Sequence, residues 1–289
     1  MTTTKRQIKT ILAAASLLAA VAVSAQDDLV SRGEYLIYAG GCITCHTEDR
    51  DDAPPLAGGR AMESPFGTFY SPNITPDRET GIGNWSDDDF VNAFWNGVSP
   101  DGEHYYPAFP YTAYTGVSRD DLIAMKAYLM TLDPVQNDNK EHELAWYMSG
   151  RVAAGAWKEL NFKPGRFVPD PEKDEQWNRG AYLVRHLGHC GECHTPRGRL
   201  GVLQNDREFA GAKLGDEQVP NITQHRSDGI GRWSASDIEY FLDIGMLPDG
   251  DFAGSSMVDV IEDSTSKLTR EDRLAIAAYL KSVPPRETP

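Results

Sequence analysis

Five residues constrain this chain more than anything else in it: Cys42-Ile43-Thr44-Cys45-His46, which recur as Cys190-Gly191-Glu192-Cys193-His194. Cys-x-x-Cys-His is the attachment signal for c-type haem. Two thiols one helical turn apart add to vinyl groups on one edge of a porphyrin, and the histidine that follows coordinates the iron. A structural zinc site would need four ligands where each copy offers three. A thioredoxin-like redox pair has no use for the histidine and needs a βαβ context that the sequence does not offer. All 4 cysteines fall inside the two motifs, so none is left over for a disulfide. Two covalently bound haem c groups are therefore expected, one held by Cys42, Cys45 and His46, the other by Cys190, Cys193 and His194.

Aligning the motifs exposes an internal duplication. The shift from Cys42 to Cys190 is 148 residues, and it carries without a gap to Pro72-Asn73-Ile74-Thr75 against Pro220-Asn221-Ile222-Thr223. The same shift pairs Gly81-Ile82-Gly83 with Gly229-Ile230-Gly231, Trp85-Ser86 with Trp233-Ser234, and Pro100-Asp101-Gly102 with Pro248-Asp249-Gly250. Upstream the shift is 147, matching Arg32-Gly33 and Tyr35-Leu36 with Arg179-Gly180 and Tyr182-Leu183. Residues 26–132 and 177–289 then make two haem domains, each of ordinary single-domain size. Residues 133–176, rich in Pro, Asn and charge, connect them, and Trp146, Tyr147 and Trp157 imply that this stretch packs onto the domains.

Three helices are expected in each copy. One leads into the haem motif, with Leu29, Gly33 and Leu36 facing the core and Leu183 with Val184 doing so in the second copy. Another starts at Ser86 with Asp89 as its capping-box partner and closes at Gly97, mirrored by Ser234, Asp237 and Gly245. The last is capped by Ser118 with Asp121 and carries Leu122, Met125, Leu129 and Leu132 at helical spacing; Thr269, Asp272, Ile276, Tyr279 and Leu280 repeat it. No stretch alternates strongly enough to be read as a strand. The fold class expected is all-α, in two tandem haem domains.

The N-terminus reads as a secretory signal over residues 1–25: Lys5, Arg6 and Lys9, an apolar run from Ile11 to Val23, and a Val23-Ser24-Ala25 cleavage site. That run is shorter than the roughly 20 residues a spanning helix needs, and no integral membrane span is expected. A periplasmic protein beginning near Gln26 follows. Cleavage would remove three basic residues and no acidic ones, taking the formal charge from −15 to −18. So acidic a surface excludes nucleic acid as a partner and is repelled by an anionic bilayer. It suits a basic patch on a partner protein as well as it suits simple solubility.

Axial ligation decides what a haem can do. Met257 lies 67 residues after Cys190, between Gly245 and the last helix, in a loop placed to arch over the ring. It is the expected distal ligand of the second haem, with Met246 as its rival. The same offset in the first copy lands on Phe109, which cannot bind iron, inside His104-Tyr105-Tyr106-Pro107-Ala108-Phe109-Pro110-Tyr111. Three arrangements are open there. His104 swings in as a second histidine, or one of Met62, Met125, Met130 and Met148 reaches the iron, or the site is open and walled by aromatics. Met125 and Met130 sit on the last helix, where a core role fits them better.

Several of these motifs are longer than the haem signal itself. Ser71-Pro72-Asn73-Ile74-Thr75-Pro76-Asp77, Gly81-Ile82-Gly83-Asn84-Trp85-Ser86, Tyr106-Pro107-Ala108-Phe109-Pro110-Tyr111, Cys193-His194-Thr195-Pro196-Arg197 and the run from Leu268 to Leu280 resemble the cytochrome c subunits of bacterial alcohol, aldehyde and gluconate dehydrogenases. The resemblance covers nearly all of the chain after residue 25. It implies class I cytochrome c-like domains, a periplasmic dehydrogenase as electron donor, and another cytochrome or a terminal oxidase as acceptor. It also implies His46 and His194 as proximal ligands, with Met257 distal in the second copy. Two departures stand out: three haem domains and often a C-terminal anchor are usual in that family, and Phe109 replaces the methionine of a Pro-Ala-Met-Pro-Tyr loop. The expected role is electron transfer rather than catalysis, since no nucleophile set, phosphate loop or paired-carboxylate site stands out. The alternative is a peroxidase-like enzyme with an open first haem.

Overall fold

A computed structural model describes residues 26–148 and 150–289; the expected signal segment lies outside the described residues. The first copy begins with helix α1 over 26–39, then α2 (Cys42–His46), the hairpin β1 (Ala61–Ser64) and β2 (Gly67–Tyr70), α3 (Asp87–Asn96), α4 (Tyr111–Tyr114) and α5 (Arg119–Leu129). The connection carries β3 (Glu143–Leu144) and α6 (Arg151–Asn161). The second copy follows as α7 (Glu175–Tyr182), running on into a π-helical turn at Leu183–Leu187, then α8 (Gly191–His194), β4 (Ala212–Leu214), β5 (Glu217–Val219), α9 (Ala235–Ile244), α10 (Ser256–Asp263) and α11 (Arg270–Leu280).

Local chemistry sets these boundaries. Ser86 and Ser234 each accept a bond from the backbone N–H three residues on, while Asp89 and Asp237 reach back to the serine N–H, so α3 and α9 open on complete capping boxes. Both helices close on glycines in the left-handed region, Gly97 at φ 60° and Gly245 at φ 76°. Ser118 and Thr269 cap α5 and α11 in the same way, but Asp121 and Asp272 do not complete the box. Their carboxylates are spent elsewhere.

The all-α expectation is wrong. Of the described residues 41 % are helical and about 9 % strand, in two small antiparallel sheets, so strand is a real part of the architecture. In the first, Ala61 pairs with Tyr70 and Met62 with Phe69, and β3 adds to the edge through Gly67 and Leu144. In the second, Ala212 pairs with Val219 and Leu214 with Glu217. Strands of three or four residues offer at most two turns of a period-two pattern, too little to stand out from a connecting loop.

The ungapped register also fails. The carbonyl of His46 accepts from Gly58 N at 2.7 Å and that of His194 from Gly211 N at 2.8 Å, while Leu56 and Phe209 share φ values of 62° and 64°. Those equivalences are 153 residues apart, not 148. The segment after the second motif is five residues longer, and the hairpin that follows is five shorter. The two changes cancel before Pro220.

How the copies join could not be read from either one alone. α1 crosses α5 at Gly33, and α7 crosses α11 at Gly180; a Cβ on either glycine would lie 1.9 Å from the carbonyl oxygen of Ala124 or Ala275. Arg32 donates to Asp121 at 2.6 and 3.0 Å, and Arg179 donates to Asp272 at 2.6 and 2.8 Å. Each carboxylate also accepts from the other copy: Tyr182 Oη bonds Asp121 at 2.5 Å, and Tyr35 Oη bonds Asp272 at 2.6 Å. The same hydroxyls accept from Ser118 N and Thr269 N at the starts of α5 and α11, both at 3.2 Å. The two copies therefore meet about a pseudo-twofold, and one apolar core runs through both, with Leu36 and Ile37 in the same cluster as Leu183 and Leu187.

The connection packs chiefly on the first copy. Asn137 donates to the carbonyl of Ala57 at 2.8 Å, and Asn73 donates to that of Val135 at 2.7 Å. Helix α6 then lies over the loop from His104 to Tyr111. Lys158 is buried there, its ammonium donating to the carbonyls of Asn96 at 2.7 Å and Gly97 at 3.2 Å at the end of α3. That placement suits a cation at the negative end of a helix dipole.

Candidate haem sites

Both motifs are short helical turns, and Gly41 enters the first at φ 63°. All four thiols are unpaired. Burial first, and the neighbouring cysteine second, push Cys42 and Cys190 each up to about 12. A thiol-disulfide redox pair works through a depressed thiol, so these shifts run against that reading.

The histidines are oriented by backbone. Nδ1 of His46 lies 2.8 Å from the carbonyl of Pro72, and Nδ1 of His194 lies 2.8 Å from that of Pro220. A ring bonded through Nδ1–H to a carbonyl is held in one tautomer with Nε2 as its lone-pair nitrogen, the arrangement an axial ligand needs. Burial lowers both imidazoles against the opposing effect of the carbonyl bond, which favours the neutral, metal-binding form. The repeated Pro-Asn-Ile-Thr motif builds this support. Proline supplies the carbonyl, and the buried asparagine side chain accepts from the threonine N–H and hydroxyl two residues on, at 2.7–2.9 Å in both copies. In this donor set, two thiols precede an imidazole with a fixed tautomer, and the residues fit covalent haem.

Met257 is not in a loop: it is the second residue of α10, partly buried against the common core. α10 reaches across to the first copy, where Asp259 pairs with Arg60 at 2.8 Å and Asp263 accepts from Thr44 at 3.4 Å. Ser256 at the start of α10 bonds Glu217 of β5 in the same copy. The rival Met246 pairs by a backbone bridge with Phe252.

The first copy differs. Phe109 sits among rings, 5.2 Å from Phe94, 5.5 Å from Tyr114 and 5.7 Å from Tyr105. His104 is bridged to Val98 and pressed against Gly155 of α6, with its Nδ1 buried and unpartnered among the described residues. Met125 is fully buried in the core, while Met62 and Met148 pack beside Phe69, Tyr106 and Ala154 in a separate cluster.

Sequence reasoning missed Tyr114. Its hydroxyl donates to the carbonyl of Gly40 at 3.0 Å, just before Cys42, and its ring lies edge-on to His189, 5.2 Å away and just before Cys190. Thr112 on the same helix donates to Glu192, inside the second motif, at 3.0 Å. Each copy's loop region thus touches the other copy's haem motif. Nothing in the local pattern of either stretch signals such a contact.

A family model for cytochrome c matches residues 30–133. A dihaem c-type cytochrome of Cereibacter sphaeroides is 45 % identical over 259 residues, covering 88 % of this chain and 86 % of that one. This chain is a dihaem c-type cytochrome. It carries two covalently bound haem c groups. The cytochrome is also 42 % identical to the fructose dehydrogenase cytochrome subunit of Gluconobacter japonicus, over 90 % of this chain and 54 % of that one. It is 41 % identical to the gluconate 2-dehydrogenase cytochrome c subunit of Pantoea cypripedii, over 94 % of this chain and 64 % of that one. The cytochrome thus spans less than two thirds of those dehydrogenase subunits. No helix among the described residues is long and apolar enough to cross a membrane.

Proposed function

We propose that this cytochrome accepts electrons from a dehydrogenase and passes them to another cytochrome or a terminal oxidase, on the exporting side of the membrane. The observation that carries the reading is the junction of the two motifs. α4 and α10 each brace the opposite motif, Thr112 donating to Glu192 at 3.0 Å and Thr44 donating to Asp263 at 3.4 Å. Bound haem supplies a one-electron couple at each site. The domains at 26–132 and 177–289 hold one haem each, through Cys42 and Cys45 and through Cys190 and Cys193. His46 and His194 would be the proximal ligands, oriented by the carbonyls of Pro72 and Pro220 and kept neutral by burial. Met257 would cap the second iron, and a methionine there would favour a closed, higher-potential site. At the first site Phe109 stands among the rings of Phe94, Tyr105 and Tyr114, and His104 is the nearest candidate ligand in sequence.

The test is the absorption spectrum of the fully reduced protein with and without carbon monoxide, counted per two haems. The wild type is expected to bind none, and Met257→Ala one per two haems. A wild type that already binds one, with His104→Ala leaving that number unchanged, would put a reactive iron in the first copy and sink the carrier reading. Peroxide turnover would then be the activity to measure.

A further inference from the structure

The helix leading into the second haem motif carries one residue more than its counterpart in the first copy. Leu36 and Cys42 are six positions apart, Leu183 and Cys190 seven, which is where the internal shift passes from 147 to 148. Gly40 N donates to the Leu36 carbonyl, four residues back, at 2.8 Å, whereas Gly188 N donates to that of Leu183, five back, at 2.7 Å. The extra residue is absorbed as the π turn Leu183–Leu187. Single π turns of this kind gather at functional sites. What this one presents to the first copy is His186. Its Nδ1 lies 3.0 Å from the carbonyl of Ala113 in α4, and its ring lies against Gly116, where an added Cβ would be 2.1 Å from Nδ1. Gly116 is not in the left-handed region, so space rather than backbone requires glycine there. Phe167 of the connection packs on the same ring, 5.5 Å away, and its N–H donates to the Gly116 carbonyl at 3.1 Å.

We propose that His186 is a positioning residue for the first haem site: from the second copy it holds α4, and through α4 the loop of Phe109. The proposal rests on the closed, electron-carrying reading given above. α4 has four residues, where an isolated helix needs about 12 to persist, so its place is set from outside. Much of that support comes from one stretch of the second copy. His186 meets Ala113, the ring of His189 meets that of Tyr114, and Glu192 accepts from Thr112. The loop that carries His104 and Phe109 runs directly into this helix. Tyr111 N donates to the Phe109 carbonyl at 2.7 Å, and the Phe109 ring packs on that of Tyr114 at 5.5 Å. His189 and Glu192 adjoin or lie within the second motif. His186 stands clear of both motifs, so its hold on α4 can be removed without altering either attachment.

The experiment compares the full-length holo-protein with His186→Ala, His186→Gln and Gly116→Ala. Two quantities are read: carbon monoxide bound per two haems in the reduced state, and amide hydrogen exchange over 111–117. The wild type is expected to bind none. His186→Ala is expected to bind one, with exchange at α4 at least tenfold faster. Gly116→Ala, which pushes the same ring away from Ala113, is expected to match it. His186→Gln keeps a donor for the Ala113 carbonyl and is expected to bind less than His186→Ala. The haem is assigned by combining His186→Ala with Met257→Ala, a pair expected to bind two. A pair that binds only one places the opening at the second haem and overturns the proposal. So do His186→Ala and Gly116→Ala variants that bind none and exchange as the wild type does. A general loss of stability would not open one haem alone. A wild type that already binds carbon monoxide at the first haem overturns the functional reading beneath, and the exchange comparison then decides on His186 by itself.

Discussion

Gly180→Ala and Gly33→Ala are expected to destabilise the cytochrome by about 2 kcal/mol each. In isolation the change should help, since alanine in a helix interior is better than glycine by roughly 0.5–1 kcal/mol. Tertiary packing reverses the sign. The new methyl would lie 1.9 Å from the Ala275 or Ala124 carbonyl oxygen and 2.9 Å from Cβ of Tyr279 or Tyr128, so the helix pair must move apart. Overpacking costs about 3 kcal/mol at the upper end of its usual range, which exceeds the propensity gain. The check is thermal unfolding of the holo-protein, with a fall in Tm of roughly 4–8 °C for a unit of this size. Gly165→Ala, at a position with nothing within 4 Å of the added Cβ, is the control. An unchanged Tm in both test variants would mean that the helices do not cross this closely.

Asp272→Ala is expected to cost still more, about 3–5 kcal/mol, the range for removing one partner of a buried ion pair. The side chain of Asp272 is only 11 % exposed and accepts from Arg179 and from Tyr35 of the other copy, so its loss strands a guanidinium and a hydroxyl together. Tyr35→Phe removes one hydrogen bond and is expected to cost about 1 kcal/mol. Burial alone would raise the Asp272 carboxyl, but the bonds from Arg179 and Tyr35 outweigh it and hold the group below its ordinary 3.8. The stabilisation is therefore complete above that value and is lost as pH falls through the lower folded one. Denaturant melts of wild type and Asp272→Ala should differ most at neutral pH and converge as acidification proceeds below the ordinary 3.8. Curves that stay equally far apart at all pH values would rule out ionisation of Asp272 as the source of the difference.

Local signals in the sequence carried the haem motifs, the capped starts of α3, α5, α9 and α11, and the duplication, because each rests on residues a few positions apart. The Pro-Asn-Ile-Thr repeats were visible as a pattern, but their use was not: the bond from Pro72 to His46 spans 26 residues of sequence. The hairpins were missed because three- and four-residue strands hold too few alternations. The five-residue shifts were hidden because they cancel, leaving Cys42 and Pro72 in apparent register with Cys190 and Pro220. Met257 was expected in a loop but stands in the first turn of α10, since a helix start without a side-chain cap gives no signal.

By itself, then, the sequence determined the chemistry: which side chains can take haem, twice, and where most helices begin. These depend on bonding geometry within one or two turns of backbone. Only the tertiary structure decided where the free ends of those side chains go. Asp121 and Asp272 stand at capping-box positions, yet they bond arginines on α1 and α7 and tyrosines from the opposite copy. Lys158 turns inward while Val152 and Leu160 face water. In each case several local partners cost nearly the same free energy, and the choice falls to whichever leaves no buried polar group unpaired once both copies are packed together.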